Sequence, residues 1–392
     1  MWDDTLVLSG LNYPTNVEFA PDGRVFVAEK RGTIQVYDSI DDPTPTLFHD
    51  LRPAVHDHWD RGLLGLAIHP NFPTAPYVYA LYTYAVPLDP SMPTWPGSQC
   101  DDPNGGTVDG CVVSGRLSRL TASGNQATLE TVLINDWCQQ YPSHSIGDLV
   151  FGDDGALYVS GGDGASFGWV DHGQGGGSYL GTPTPANPCG DPPVGVGGDQ
   201  TSPTAQGGAL RSQDLRTPGD PVTLDGTVIR IDPMTGDALP DNPSFGASDE
   251  NEERIVAYGL RNPFRMTVQP GTGDLFVGDV GWGTWEEVNV HGDPTGEVLN
   301  FGWPCHEGGN DESIRQVGYD NADLTLCENL YGASGSVEPS LFAYYHNNDI
   351  TGTDDCPPAP PPQPTSSSIS GLAFYEGGAY PGSYDGALFG SD

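Results

Sequence analysis

Five segments of the chain repeat one pattern, in which an apolar strand, a turn and a second apolar strand follow one another. They are residues 17–36, 64–84, 149–164, 266–281 and 370–390. In the first, VEFAPDGRVFVAEKRGTIQV, an Asp-Gly turn separates two strands rich in valine and phenylalanine, as in a β-hairpin. Small antiparallel sheets that recur along a chain predict a β-propeller. On this pattern alone, the blade count is five or six.

The composition favours an all-β fold in one domain covering residues 1–392. The chain has 54 glycines and 37 prolines, which interrupt long helices, and its 38 aromatic residues (8 Trp, 17 Tyr and 13 Phe) distinguish it from a disordered chain. Two insertions interrupt the repeats. We expect the Gly/Pro-rich segment at about 166–223 to be ordered, and the Pro/Ser-rich segment 354–368 to be an exposed loop.

The net charge of −39 argues against nucleic acid as a partner. Nucleic acid binding needs a basic surface, whereas this chain has a single lysine, Lys30, and thirteen arginines. No run of eighteen apolar residues occurs, so the sequence predicts no membrane span. The start of the chain lacks a signal-peptide pattern, and we expect Met1 to stand in front of a mature sequence.

The seven cysteines lie in polar, loop-like contexts and form no CxxC pair, which argues against a zinc ribbon. We interpret them as disulfides of a secreted or periplasmic protein. Sequence proximity favours Cys100–Cys111 and Cys305–Cys327 as local pairs, and Cys138–Cys189 then follows by elimination. Cys356 remains, either free or paired outside this chain.

One stretch, from Arg254 to Gly308, concentrates residues suited to a binding site. It contains an Arg-Asn-Pro bend at 261–263, a Gly-Trp-Gly turn at 281–283 and a Trp-Glu-Glu segment at 285–287. Carbonyl and carboxylate oxygens are the ligands that a hard cation such as calcium selects. The sequence therefore predicts a site here that combines a cation, a bend and an oxygen-rich turn.

Eight motifs occur in an order that resembles one enzyme family. They are PTNVEFAPDGRVFVAEKRGTI, RGLLGLAIHPNFPTAPYVYALYTY, HSIGDLVFGDDGALYVSGGDG, LDGTVIRIDP, DNPSF, YGLRNPFR, GDVGWGTWEEVN and NFGWP. This set resembles the soluble quinoprotein sugar dehydrogenases of the glucose/sorbosone dehydrogenase family, especially its secreted bacterial members. The resemblance implies a six-bladed β-propeller of four-stranded antiparallel blades.

The resemblance also implies an activity, the oxidation of an aldose at its anomeric carbon to a lactone with pyrroloquinoline quinone (PQQ), calcium and an external electron acceptor. His144 matches the family's catalytic base, which takes the hydroxyl proton. Arg261 matches the residue that stabilises charge on the quinone, and Asn262 lies beside it in the cofactor site. The carbonyls of Gly281 and Trp282 match ligands of the calcium that polarises the quinone.

Further positions follow from the same resemblance. Glu287, the Phe301 carbonyl and Asp311 match a second, structural calcium site. Asp60 falls where the family places a polar residue that faces the substrate. In this resemblance Asp60 and His144 both contact the substrate.

Three departures from the family pattern stand out. Ser143 replaces an acidic or amide residue beside His144. In some family members, cationic side chains hold the cofactor's carboxylates at positions that fall near or beyond the end of this chain. Arg211 and Arg216 are the candidates to replace them, because a guanidinium pairs well with a carboxylate. The chain ends where the family pattern continues, so we expect a truncated last blade and a gap between the strands near 17–36 and those near 372–389.

Alternative interpretations remain open at this point. His144 could be an ordinary hydrogen-bonded histidine, Arg261 a structural cation between blades, and Asp163 a turn cap. The whole domain could be a non-catalytic module that binds glycan or protein, because a fold does not imply a function. A metal-dependent propeller hydrolase such as a lactonase is a third class, which would need inward carboxylates around a central calcium.

Overall fold

The computed structural model of the chain describes most of its 392 residues. The described residues are 5–84, 112–173, 177–179, 182–184, 189, 202–308, 314–345 and 368–391. Cys100, Cys111, Asp311, Cys356 and nearly all of the predicted loop 354–368 lie outside them.

Strands dominate the described structure. In chain order they are β1 (Pro14–Phe19), β2 (Val25–Glu29), β3 (Thr33–Tyr37), β4 (Thr46–Asp50), β5 (Leu63–Ile68), β6 (Tyr77–Tyr84), β7 (Val113–Ser123), β8 (Gln126–Gln139), β9 (Ile146–Phe151), β10 (Leu157–Gly161), β11 (Gly177–Tyr179), β12 (Thr182–Thr184), β13 (Thr227–Ile231), β14 (Ile255–Tyr258), β15 (Pro263–Val268), β16 (Leu275–Val280), β17 (Trp285–His291), β18 (Leu299–Asn300), β19 (Phe342–Tyr345), β20 (Gly371–Phe374) and β21 (Leu388–Ser391). The helices are short: α1 (Glu250–Arg254), α2 (Val317–Asp320), α3 (Thr325–Tyr331) and two 3₁₀ helices, Gly208–Arg216 and Gly382–Tyr384.

The strands form successive small sheets in sequence order. Two sheets have the orders β1-β2-β3-β4 and β5-β6-β7-β8, the third is β9-β10-β13-β14 with β18 added in parallel, and the fourth is β15-β16-β17-β19. A separate two-stranded sheet contains β20 and β21, and β11 pairs with β12. The inner strands β1, β5, β9, β15 and β20 each contact the next in this order. Sheets arranged in this way are the blades of a β-propeller, and the predicted all-β fold is confirmed.

The predicted number of six blades is not confirmed. The described residues contain four complete blades and the β20–β21 sheet. In this part of the chain no strand of the first sheet pairs with β20 or β21. On the first strand of the first blade, Val17 and Phe19 are 50% and 63% exposed.

Local sequence explains the hairpins. Within the first blade, Gly23 has a φ of 93°, a left-handed conformation that glycine adopts without strain. Its N–H donates to the Ala20 carbonyl at 2.9 Å, and the Ala20 N–H donates to the Arg24 carbonyl at 2.9 Å, which closes the turn. The following strand β2 is buried along its whole length. The Asp-Gly signal therefore formed the hairpin that it predicted.

Buried apolar side chains join neighbouring blades. Trp137 at the end of β8 is fully buried and packs with Leu64 of β5 and Ile146 of β9. A Cβ on Gly161 would lie 2.3 Å from the Trp137 indole nitrogen, so this position requires glycine. The packing holds β5, β9 and β10 at fixed distances and thereby positions the loops at their ends.

Polar contacts tie the inner strands together near the ring axis. The Asp148 carboxylate on β9 accepts from the Asn16 side chain of β1 at 3.2 Å and from the Met266 N–H of β15 at 3.2 Å. Arg265 donates to the Thr15 carbonyl at 2.6 Å. Burial raises the pKa of Asp148, while Arg265 opposes that shift. The first, third and fourth blades are thus joined through one buried carboxyl group.

Two of the three predicted disulfides lie among the described residues, and both are confirmed. Cys138 pairs with Cys189 and Cys305 pairs with Cys327. The predicted Cys100–Cys111 pair and the unpaired Cys356 lie outside the described residues. No helix among the described residues is long and apolar enough to cross a membrane.

Candidate active site

A cleft of about 380 Å³ opens at one end of the ring. Its walls come from residues that directly precede the inner strands: Asp60 before β5, His144 before β9, Arg261 and Asn262 before β15, and Ser368 before β20. Because the inner strands surround one axis and run in the same sense, the residues before them meet at one rim. The volume lies in the range of small-molecule sites.

His144 projects from a tightly constrained loop. Its φ is +46°, an uncommon value for a residue with a side chain. Its carbonyl accepts from the Gly164 N–H at 2.9 Å, and the Ser145 carbonyl accepts from the Gly162 N–H at 2.5 Å. A Cβ on Gly162 would stand 2.3 Å from the His144 carbonyl oxygen. The loop 143–145 and the glycine-rich segment after β10 therefore pack backbone to backbone, and this contact fixes the histidine.

Asp163 binds the ring of His144. Its Oδ1 lies 2.8 Å from His144 Nδ1 and accepts from the Ala165 N–H at 2.9 Å. Its Oδ2 accepts from Trp303 Nε1 at 2.8 Å. Both residues of this pair are buried. With Nδ1 protonated and bound to the carboxylate, Nε2 is left as an acceptor, and no described residue forms a hydrogen bond with it. Asp163, interpreted from sequence as a turn cap, thus orients the histidine as well.

Electrostatics keep the histidine neutral. Burial lowers the pKa of His144 below its ordinary 6.5, and the neighbouring Arg261 adds to that effect, while Asp163 opposes both. For Asp163, burial raises the pKa, but the His144 pair, Arg261 and the hydrogen bonds together lower it below 3.8. A neutral imidazole beside an ionised carboxylate is the state that a general base requires.

Arg261 forms the wall facing this pair. Its Nη1 donates to the carbonyls of Val280 at 2.9 Å and Gly281 at 2.6 Å, and its guanidinium lies over the Trp303 ring at 5.4 Å. Its Nε is buried and has no hydrogen-bond partner within the described part of the chain. An unsatisfied buried donor of this kind is costly. A ligand oxygen in the cleft would relieve that cost.

The Arg-Asn-Pro bend is held from below by one carboxyl group. Asp279 accepts from the backbone N–H groups of Arg261 at 3.0 Å and Asn262 at 2.6 Å. Burial raises the pKa of Asp279 to about 7, and the neighbouring Glu286 adds to the shift. Asp279 was absent from the predicted site residues, although its position at the end of β16 opposite Pro263 follows from the hairpin register.

Two of the predicted calcium ligands, the Gly281 carbonyl and the Glu287 carboxylate, are engaged in other contacts. The Gly281 carbonyl accepts from the cationic Arg261, and the Trp282 N–H donates to Glu307 Oε1 at 2.5 Å. Glu287 accepts from the Gly308 N–H, and Asn289 donates to it at 3.2 Å. Among the described residues no group of three or more His, Cys, Asp or Glu is arranged to hold a metal. In this conformation the Gly281 carbonyl does not fit a calcium ligand, because a guanidinium occupies it.

The second predicted calcium site is incomplete in the described residues. Phe301 is buried and its N–H donates to the Tyr258 carbonyl at 2.9 Å, whereas Asp311 lies outside the described part. Burial raises the pKa of Glu287 to about 8, and Asp279 adds to that shift. The two carboxyl groups therefore repel one another when ionised, a strain that a cation would relieve.

Arg211 and Arg216 lie away from the cleft. Arg211 is fully buried and donates to Asp225 at 3.0 Å, to the Cys138 carbonyl at 3.1 Å and to the Asp163 carbonyl at 3.0 Å. Arg216 lies beside a separate depression lined by Thr204 and Asn329. The structure gives no support to these arginines as cofactor ligands, because their positions direct them into the insertion and its contacts with the blades.

An aromatic rim, which the sequence did not reveal, borders the cleft. Trp59 and Phe167 are 46% and 41% exposed, with ring centroids 6.2 Å apart. The Trp282 indole N–H donates to the Phe167 carbonyl at 2.7 Å, which anchors the loop after β10 to the Gly-Trp-Gly turn. The three residues come from positions up to 223 apart in sequence (282 − 59), so only the ring brings them together.

Comparison with known proteins identifies the family. The model of the Glucose / Sorbosone dehydrogenase family matches residues 11–203 and 204–355, which is most of the chain. Quinoprotein glucose dehydrogenase B of Acinetobacter calcoaceticus is 27% identical over 334 residues, covering 84% of this chain and 57% of that protein. The HIPL1 protein of Arabidopsis thaliana is 25% identical, covering 79% of this chain and 43% of that protein. The chain thus spans about half the length of these curated relatives.

Solved structures share the fold. The PQQ-bound form of an aldose sugar dehydrogenase from Streptomyces coelicolor superposes with a TM-score of 0.54 at 20% identity, covering 87% of this chain and 70% of that one. The apo form of the soluble aldose sugar dehydrogenase from Escherichia coli has a TM-score of 0.59 at 17% identity, covering 98% and 82%. The family match, the order of the motifs and the propeller agree, and the chain belongs to the glucose/sorbosone dehydrogenase family.

Proposed function

We propose that this protein is a quinone-dependent aldose dehydrogenase that oxidises the anomeric carbon of a sugar to a lactone. The observation that carries the proposal is the His144–Asp163 pair in the same cleft as Arg261, whose Nε has no partner in the described residues. A base and an unsatisfied cationic donor together are what removal of a hydroxyl proton next to an electron acceptor requires.

The residues of the cleft fit pyrroloquinoline quinone. The buried Arg261 Nε lacks an acceptor, and quinone oxygens are acceptors. Asn262 lines the same wall. When bound, the quinone would accept the anomeric C–H hydrogen together with its two electrons, as a hydride, which is the oxidant that the reaction needs. The protein's contribution is to orient the cofactor and tune its charge.

The chain's own residues would then perform the proton chemistry. His144 Nε2 takes the proton of the anomeric hydroxyl, and the ionised Asp163 holds Nδ1–H and stabilises the imidazolium that results. Trp303 Nε1 holds the other carboxylate oxygen and keeps Asp163 in place. Arg261 offers a donor to negative charge that develops on the facing oxygen.

Other lining residues would select and enclose the sugar. Asp60 offers acceptors to sugar hydroxyl groups, and its N–H is fixed to the Pro142 carbonyl at 3.1 Å in the segment that leads to His144. Trp59 and Phe167 present apolar faces at the rim, where the C–H face of a pyranose could stack and exclude water. Arg211 and Arg216 have no role in this proposal.

We keep calcium as a separate part of the proposal. Its support is the buried Asp279–Glu287 pair, whose mutual repulsion a divalent cation would relieve, and the oxygen donors that calcium prefers. A calcium ion on the Gly281 carbonyl would require Arg261 to release that oxygen. The proton transfer to His144 therefore does not depend on the metal.

Three broader features belong to the same proposal. A six-bladed ring would place further strands between β21 and the first blade, where Val17 and Phe19 are exposed. The two disulfides support a secreted or periplasmic location. The electrons would leave the cofactor to an external acceptor.

The test is reconstitution of the purified protein with the quinone and calcium, followed by reduction of an artificial dye with a panel of aldoses. His144→Ala should bind the quinone and lose about 10²–10⁴-fold in kcat. Quinone binding with no dye reduction by any aldose would contradict the dehydrogenase. Absence of quinone binding would favour a non-catalytic module that binds glycan or protein.

A further inference from the structure

Lys30 is the single lysine of the sequence, and it lines the cleft. It follows β2, and its backbone is fixed on both sides: its N–H donates to the Tyr13 carbonyl at 2.9 Å, and its carbonyl accepts from the Leu63 N–H at 2.9 Å. Gly62 has a φ of 150°, and a Cβ there would lie 2.8 Å from the Lys30 Cγ. The close approach of Gly62 therefore fixes the base of the lysine side chain at the cleft wall.

The ammonium group of Lys30 has no carboxylate partner among the described residues. Its Nζ donates to the backbone carbonyl of Asp57, whereas the carboxylate of Asp57 lies 3.3 Å from the neighbouring Arg31. An ammonium has three donors, so two remain for other acceptors. Burial lowers the pKa of Lys30 below 10.5, while Asp57 and Asp60 oppose that shift. An anionic ligand would therefore stabilise the charged form of this half-buried side chain.

Cations are scarce in the cleft. Of the described residues that line it, Lys30 and Arg261 carry the basic side chains besides His144, and they come from the first and fourth blades. The chain carries a net charge of −39, which repels anions at long range. Lys30 therefore supplies positive charge inside the cleft that no other lysine of the sequence can supply.

We propose that Lys30 is an anion-binding residue of the cleft and holds a carboxylate of the ligand that fills it. The identity of that ligand rests on the proposed function. The quinone cofactor carries carboxylates, and so does a sugar of the uronic acid class. Both would present the same group to the ammonium.

The single lysine allows a direct test on the intact protein. Acetylation with an amine-specific reagent, followed by peptide mass spectrometry, reports Lys30 separately from the N-terminal amine. With the quinone or glucuronate at about ten times its Kd, the Lys30 acetylation rate should fall about tenfold. Glucose, which has no carboxylate, should not protect. Protection by the quinone alone assigns the carboxylate to the cofactor, and protection by glucuronate alone assigns it to the substrate.

Variants give the second measurement. Lys30→Gln should raise the Kd of the protecting ligand by about 10- to 100-fold, the value of a charge-assisted hydrogen bond, and Lys30→Arg should restore most of the affinity. Arg52→Gln removes a different arginine, which follows β4 and has a side chain that is 59% exposed, and should leave the Kd unchanged.

The proposal and the function fail in different ways. If the quinone binds the wild-type protein but neither protects Lys30 nor binds Lys30→Gln more weakly, and glucuronate gives no protection, the anion-binding role is wrong while the dehydrogenase stands. If the quinone does not bind, the proposed function fails, and glucuronate protection alone decides the role of Lys30. If neither ligand protects Lys30, the anion-binding role of Lys30 is wrong.

Discussion

Replacing Asp163 with asparagine changes charge with little change in shape at the centre of the proposed site. The carboxylate accepts three hydrogen bonds: Oδ1 from His144 Nδ1 and the Ala165 N–H, and Oδ2 from Trp303 Nε1, at 2.8–2.9 Å. An asparagine side chain has one acceptor oxygen. Whichever way the amide turns, its NH₂ group faces at least one N–H donor.

Each orientation of the amide has a defined consequence. If the oxygen stays on the His144 side, the Trp303 N–H loses its acceptor, at a cost of about 1–3 kcal/mol. If the amide turns, its NH₂ donates to His144 Nδ1, the ring proton moves to Nε2, and the base is lost. Both orientations remove the charge that stabilises the imidazolium. We therefore expect kcat to fall by about 10²–10⁴-fold, with KM nearly unchanged because Asp163 does not line the cleft.

The assay is dye reduction by the reconstituted protein across pH, with the melting temperature measured in parallel. In the wild type, kcat/KM should decline as pH falls through the depressed His144 pKa, below 6.5, because protonation removes the base. In Asp163→Asn that decline should move to lower pH, since the carboxylate that raises the histidine pKa is gone. Asp153→Asn, at an exposed turn far from the cleft, is the matched control. A kcat within about threefold of wild type, with the quinone bound, would refute the orienting role of Asp163.

Three further predictions concern stability and a fourth concerns the disulfide pairing. The pKa of Glu18 is raised to about 8, first by burial and then by Asp148, so the folded protein holds this proton more tightly than the unfolded chain does. Glu18→Gln should therefore raise Tm at pH 9 by at least about 2 °C and leave Tm unchanged near pH 4. An equal change in Tm at both pH values would contradict the raised pKa. Calcium at a hundred times its Kd should stabilise the folded protein by about 2.7 kcal/mol and so raise Tm, and Glu287→Gln should abolish this increase. A wild-type Tm that is the same with and without chelator would contradict calcium binding. Replacing both cysteines of the Cys305–Cys327 disulfide with serine should cost about 3 kcal/mol for its 22-residue separation, measured by denaturant unfolding, and an unchanged midpoint would argue against its stabilising role. Thiol titration of the denatured, unreduced chain should find one free group, predicted to be Cys356, and three or more would overturn the pairing scheme.

Short-range sequence signals predicted the elements of the fold well. The Asp-Gly turn and valine-rich flanks of residues 17–36 formed the first hairpins, because turn geometry and alternation act over a few residues. The motif order identified the family, and His144, Arg261 and Asn262 do line one cleft. The number of blades was beyond these signals, since a hairpin pattern does not specify how many hairpins close a ring.

The sequence by itself determined which residue types stand before each inner strand, and therefore which side chains could reach the rim. The tertiary structure decided their partners. Asp163 is the partner of His144 because the glycine-rich segment after β10 packs on the loop before β9. Arg211, which the sequence alone made a candidate cofactor ligand, forms a buried ion pair with Asp225. The Gly281 carbonyl, expected to bind calcium, accepts a guanidinium instead. Such pairings depend on distances between segments far apart in the chain, which only the packing of blade against blade sets.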